Sequence, residues 1–131
     1  MSLRDEINNI TKQLLNGVMQ QLIVTDEDAY VKDDVSKVIR TRVTAELCST
    51  LVKLHNLKIS DHQSMIKKLT KWLIDNQNAD GSWNETHINY DKPSTVFTSI
   101  CALSLLETSE SFPDLNIDEE IFDRAAKFIL K

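Results

Sequence analysis

Glycine, proline, cysteine and tryptophan each occur only twice in the chain of 131 residues. So few glycines and prolines leave no material for a low-complexity tract or an interdomain linker, and neither is present. A single domain over residues 1–131 is therefore expected. A chain of this length buries a core without disulfide staples. Basic charge is also short, with 15 Lys and Arg against 20 Asp and Glu for a net charge of -5. The two signs are interspersed, which argues against the clustered positive field that nucleic acid requires. Long apolar runs are missing too. The longest stretch without charge, Pro93 to Leu106, falls short of the roughly 20 apolar residues of a bilayer span. No membrane span is expected, and that stretch reads as a helix covered on all sides. The opening "MSLRDE" meets charge at once and has no apolar secretory segment. Cytoplasmic residence is the expectation, with Cys48 and Cys101 reduced.

Hydrophobic and charged content are near globular averages, and the apolar residues recur with helical spacing. From Met65, the positions Ile66, Leu69, Trp72 and Leu73 share one helix face. Ser60 and Gln63 have the spacing of a capping box, which predicts a helix starting near Asp61. The same pattern returns about 56 residues later at Ile121, Phe122, Ala125, Phe128 and Ile129, with Asn116 and Glu119 in the capping positions. A displacement that carries both the cap and the apolar face is the mark of an internal repeat. The intervening segments repeat as well, Thr41–Leu54 against Thr95–Thr108, at a displacement of about 54. The stretch from Glu6 to Tyr30 reads as a degenerate first copy, with Leu14 and Leu15 for Trp72 and Leu73, and Tyr30 for Trp83.

The spacing predicts helices over about 4–24, 35–55, 61–77, 94–109 and 117–131. Asp33 or Asp34 is expected to cap the second. No segment alternates for long with β-branched residues, so no strand is expected and the fold class is all-α.

Between the third and fourth helices lies "WLIDNQNADGSW", which holds both tryptophans and one of the two glycines. Gln77 follows the predicted helix end near Asn76, where backbone carbonyls lack partners, and its amide can both donate and accept there and toward a neighbouring helix N-terminus. Gly81 permits a turn through positive φ, and Trp83 can fold its ring back over Gln77. A plain "DG" turn beside a tryptophan is the alternative.

Trp72, Leu73, Gln77, Gly81, Ser82 and Trp83 resemble, residue for residue, the QW motif of squalene-hopene and oxidosqualene cyclases. The signature recurs in class II diterpene cyclases and in prenyltransferase-and-squalene-oxidase repeat proteins. Lys68 matches the basic residue that opens the motif, whereas Leu69 stands where the family usually has glycine. The resemblance to this terpenoid cyclase and protein prenyltransferase-like family implies repeated antiparallel helical hairpins forming part of an α/α toroid. It also implies that about two and a half hairpins are a fragment, with the terminal helix covered by another subunit in a homo-oligomer or by the remainder of a longer chain. The partner it implies is an isoprenoid or other apolar ligand, and Phe97, Cys101 and Leu105 are expected on a face that meets such a ligand or the next helical layer.

The chemistry of such enzymes has no motif here. A class II cyclase protonates its substrate with the middle acid of D-x-D-D, whose acidity depends on the neighbouring carboxylates. Asp26-Glu27-Asp28-Ala29 lacks the last acid and reads as a solvated turn or cap. The D-D-x-x-D that holds magnesium against diphosphate fails at Lys37 in Asp33-Asp34-Val35-Ser36-Lys37. Cys48 and Cys101 fall on apolar faces as small hydrophobes. His55, His62 and His87 have no paired spacing with them, and His87, beside the Gly81 turn, is expected at the wet rim. No catalytic residue, cofactor or metal is assigned. Two functions stay open, a terpene cyclase-like enzyme of which this is a non-catalytic part, and a helical-repeat module that binds a protein or an apolar ligand.

Overall fold

A computed structural model describes residues 2–86 and 92–131. Five α-helices carry the fold: α1 (Leu3–Met19), α2 (Thr41–Asn56), α3 (Gln63–Asp75), α4 (Thr95–Ser111) and α5 (Glu119–Ile129). Two small antiparallel ribbons join them, β1 (Leu22–Val24) with β2 (Ala29–Val31), and β3 (Trp83–Asn84) with β4 (Pro93–Ser94). The molecule is mainly helical, as the sequence indicates, and the ribbons correct only the expectation that no strand forms. Strands of two or three residues are too short for a period of two to register in a sequence.

The helix starts also differ from the spacing. The first helix stops at Met19, and residues expected in its last turn form β1. Asp33 does not cap α2; its Oδ1 accepts from the Val35 and Ser36 N–H groups at 2.9 and 2.8 Å, closing a turn. Lys37 then takes a φ of 61°, Arg40 N–H reaches Val31 O at 2.8 Å, and the helix begins only at Thr41. At α3 no capping box forms. Ser60 Oγ lies 3.0 Å from His62 Nε2, and Asp61 Oδ1 accepts from Gln63 N–H at 3.2 Å. At α5 the cap is Asp118, which accepts from Glu120 N–H at 3.0 Å, while Asn116 ends a short 3-10 turn over Pro113–Leu115 in the left-handed region. The short polar side chains before these helices close turns of their own, as Asp33 does, or cap from a different position, as Asp118 does.

Helices α2 and α4 lie side by side and parallel. Arg42 stands 6.0 Å from the Phe97 ring near their starts, and Asn56 Nδ2 donates to Ser111 Oγ at 3.0 Å near their ends. Small polar residues let the backbones approach, and Ser104 Oγ donates across the seam to Ala45 O at 2.8 Å. Helix α3 runs the other way against this pair. Its last turn meets the start of α4, and its first residues line a cleft with Ser111, Phe112, Pro113 and Asp114. Helix α1 sits on α2 through Leu15 and Val18, with Arg4 Nη2 donating to Leu57 O at 3.1 Å. The core fills the space between these layers, from Leu47, Leu51 and Val52 through Ile66, Leu69 and Leu73 to Leu105, Ile121 and Ala125.

Helix α4 is not covered all round. Cys101 and Leu105 are sealed in the core, but Val96, Leu103 and Leu106 stand in solvent on the opposite face. The sealed Cys101 and Leu105 therefore present no surface to an apolar ligand. No helix among the described residues is long and apolar enough to cross a membrane.

The two faces of α4 make a direct comparison. Leu105→Ala removes a wholly buried side chain and is expected to cost about 2–5 kcal/mol. Leu103→Ala, at a residue 58% exposed, is expected to change stability by under about 0.5 kcal/mol. Paired urea titrations with a common slope check the difference.

Candidate functional site

The turn after α3 gathers every residue of the tryptophan-bracketed stretch into one region. Trp72 and Leu73 end the buried face of α3, and Trp83 opens β3 with no exposure at all. Between them Asn78 N–H donates to Ser82 O at 2.8 Å, and Gly81 N–H to Asn78 O at 2.9 Å. Gly81 has a φ of 91°. A Cβ on it would lie 2.1 Å from the Arg124 carbonyl oxygen, so the glycine serves two purposes, the turn and the close approach of α5.

Gln77 spans the same gap. Its Nε2 donates to Gly81 O at 3.1 Å and to Ile121 O in the first turns of α5 at 2.9 Å. Its Oε1 accepts from Arg124 Nη2 at 3.0 Å. One amide thus satisfies a turn carbonyl, a helix carbonyl and a guanidinium at once. Arg124 has no counterpart in the sequence motif, and only the fold brings it to Gln77. Its Nε is buried without a hydrogen-bond partner, and the bond to Gln77 is what anchors its head.

Trp83 joins α3 to α4. Its indole Nε1 donates to Leu73 O at 2.8 Å, satisfying a carbonyl near the end of α3. Its backbone N–H donates to Thr98 Oγ1 in the first turn of α4 at 3.0 Å. An equivalent bond occurs about 54 residues earlier, where Val31 N–H donates to Thr44 Oγ1 in the first turn of α2 at 3.0 Å. Tyr30, beside Val31, rests its ring 5.8 Å from Trp72.

The remaining candidates lie apart from this turn. Asp26, Glu27 and Asp28 form the tip of the β1–β2 ribbon, held by Thr25, whose Oγ1 accepts from Asp28 N–H at 2.9 Å and donates to Asp28 Oδ1 at 2.7 Å. Asp33 is held below the usual carboxylate range, chiefly by the Ser36 and Val35 backbone N–H groups. Cys48 lies in the core with Sγ 3.6 Å from Thr108 Oγ1 and 3.8 Å from Thr70 Oγ1. Burial pushes its thiol up, and burial raises Cys101 to about 12. Neither is a poised nucleophile at neutral pH. His55 packs its ring 4.6 Å from Phe112, with Nδ1 3.7 Å from Asp61. His87 lies outside the described residues. No group of three or more His, Cys, Asp or Glu side chains among the described residues is placed to hold a metal ion.

An apolar cleft of about 360 Å³ opens between α1 and α2, lined by Leu14, Leu15, Val18, Val43 and Leu47 with Glu46 and Thr50 at its edge. A second, of about 500 Å³, lies between the ribbon tip and α3, where Asp26 and Glu27 face Lys67, Lys68 and Lys71. Two of those lysines are already engaged. Lys68 Nζ donates to Thr25 O, and Lys71 Nζ to Asp75 Oδ2, both at 2.7 Å.

The turn yields two predictions. Trp83→Ala is expected to cost about 3–5 kcal/mol by emptying a sealed site. Gln77→Ala is expected to cost about 1–3 kcal/mol through the unpaired Ile121 carbonyl and the freed Arg124. Gly81→Ala should exceed the roughly 1–2 kcal/mol of left-handed strain alone, because the α5 backbone must retreat. Denaturant titration of the three variants checks the order.

The second concerns acid. The Ser82 hydroxyl, with help from the Ser82 backbone N–H, holds Asp80 below its ordinary value of 3.8. A lowered folded pKa means that Asp80 stabilises the fold fully above that ordinary value, and that the contribution is lost as pH falls through the folded value. Asp80→Asn is expected to flatten this acid limb in stability measured between about pH 5 and pH 2. An unchanged slope would show that the aspartate is not linked to folding.

No family model matches the chain, and neither does any curated protein or solved structure.

Proposed function

We propose that the chain is a terpenoid cyclase and prenyltransferase-like helical repeat domain, an arc of an α/α toroid in which these residues build the wall and its staples and do not start a reaction. The observation that supports this reading is the contact made twice. Val31 N–H meets Thr44, and Trp83 N–H meets Thr98, each pairing an extended segment with the first turn of the helix that follows it. Those two helices are the parallel pair α2 and α4, and α3 flanks them on the outside. Helical hairpins stacked with one helix of each in an inner row would produce this pattern. Gln77 between the α3 turn and α5 then acts as the tie from one hairpin to the next.

In such an arc the initiating acid or metal-held diphosphate and the closed apolar cavity come from other residues. Carbocation chemistry requires both, because water quenches the cation. Asp26, Glu27 and Asp28 sit at a ribbon tip with their loop hydrogen bonds satisfied by Thr25, and Asp33 serves its own turn. A second reading, a non-catalytic module for an apolar ligand or a protein, is favoured by the cleft between α1 and α2.

The test is incubation of the purified chain with squalene, farnesyl diphosphate and geranylgeranyl diphosphate, with and without magnesium, followed by product analysis. No cyclic or dephosphorylated product above the protein-free control is expected. A product that disappears in Asp26→Asn/Asp28→Asn or Asp33→Asn/Asp34→Asn would overturn the proposal and restore these acids to a catalytic role.

A further inference from the structure

Helix α1 is 17 residues long and buries none of them. A helix of that length is marginal in water on its own and takes its stability from packing. Its inner side uses Leu15 and Val18 against α2. Its outer side carries a second apolar stripe, Leu3, Ile7, Ile10 and Leu14, whose exposures run from 51% to 72%. Their spacing alternates four, three, four, which is the narrow seam of a two-helix coiled coil and not the broad face of a helix laid on a globular core.

The stripe also has a symmetry of its own. Read in either direction it is Leu, Ile, Ile, Leu with the same spacing. A two-fold axis through its centre, between Asn8 and Asn9, sets Leu3 against Leu14 of the other copy and Ile7 against Ile10. Self-complementarity of this kind is what an isologous contact demands. The charges obey the same axis. The residues that flank the stripe are Arg4 and Thr11 on one side and Glu6 and Gln13 on the other, and the axis sets Arg4 beside Thr11 and Glu6 beside Gln13 of the other copy, so no like charges oppose each other. The chain exposes 8064 Å² at 15.0 kDa, above the about 7,000 Å² of a compact monomer of that mass, and the α1 stripe contributes to that excess.

We propose that the outer stripe of α1 is the seam of a homodimer, in which α1 packs antiparallel on α1 of a second copy about a two-fold axis between Asn8 and Asn9. Leu14 belongs to both the stripe and the α1–α2 cleft, so the partner helix also shelters the mouth of that cleft. The inference stands on α1 alone and is independent of the toroid reading.

Sedimentation of the full chain from low micromolar to near-millimolar concentration tests it. The weight-average mass is expected to rise twofold across that range. Ile7→Glu/Ile10→Glu is expected to abolish the rise while leaving the far-ultraviolet dichroism unchanged, since both side chains are more than half exposed in the single chain. The arrangement is read separately by mixing Ile7→Cys with Ile10→Cys under oxidising conditions, where the native Cys48 and Cys101 are buried. The mixed disulfide is expected to exceed either self-linked product severalfold. A chain that stays monomeric at the highest concentration, or a dimer indifferent to the glutamates, would overturn the seam. Self-linked products in excess would overturn the antiparallel pairing.

Discussion

The approach of the α5 backbone to Gly81 is the constraint on which the second half of the molecule depends. A carbonyl oxygen of α5 occupies the space in which any side chain at position 81 would begin. Because glycine leaves that space to the α5 carbonyl, Gln77 is close enough to reach Ile121 O, and Arg124 is close enough to reach Gln77. The same turn delivers Trp83 to the core, where its two N–H groups tie the end of α3 to the start of α4. Ile121 and Ala125 are sealed only because α5 lies this near. Helices α3, α4 and α5 are therefore related through one short loop whose own hydrogen bonds, from Asn78 through Asp80 to Ser82, hold it in a single shape.

A second constraint runs through the centre. Helices α2 and α4 meet over hydroxyls and small side chains, and buried polar groups are costly unless paired. Ser104 finds Ala45 O across the seam, while Thr108 bonds back to Ser104 O at 2.7 Å and Thr44 to Arg40 O at 2.7 Å. The Ser104 bond gives the pair a register that apolar contact alone would not specify, because apolar packing is non-directional, while the other two satisfy their hydroxyls within their own helices. Cys48 sits among the same hydroxyls, and its thiol is a packing group there.

Apolar surface is exposed on both α1 and α4. Val96, Leu103 and Leu106 remain exposed on α4, as the stripe does on α1. Val96, Leu103 and Leu106 are spaced by seven and three, but unlike the α1 stripe that spacing does not read the same in both directions. That difference in pattern separates α1, for which the symmetry of the stripe itself selects the partner, from α4, which carries no such selection.

Five helices and the buried faces of α3 and α5 were legible in the sequence, because helical periodicity is local and the positions Ile66, Leu69, Leu73, Ile121 and Ala125 are all in the core. A positive φ at Gly81 was legible for the same reason, since only glycine takes it without strain. The helix starts were not, because the short polar residues before them can close turns of their own, as Asp33 does, and tertiary packing decides where the helix begins. The ribbons were not, because strands of two or three residues exist through their pairing and not through their pattern. Nor was the covering of α4, whose uncharged run says nothing about which side meets α2. The chemistry of the Gly81 turn lies between these limits. The sequence by itself determined that an amide, a glycine and an indole would stand at a helix end. Only the tertiary structure decided that the amide would grip Ile121 and Arg124, more than forty residues away, because those partners are brought to Gln77 by the packing of α5 and by nothing adjacent to it.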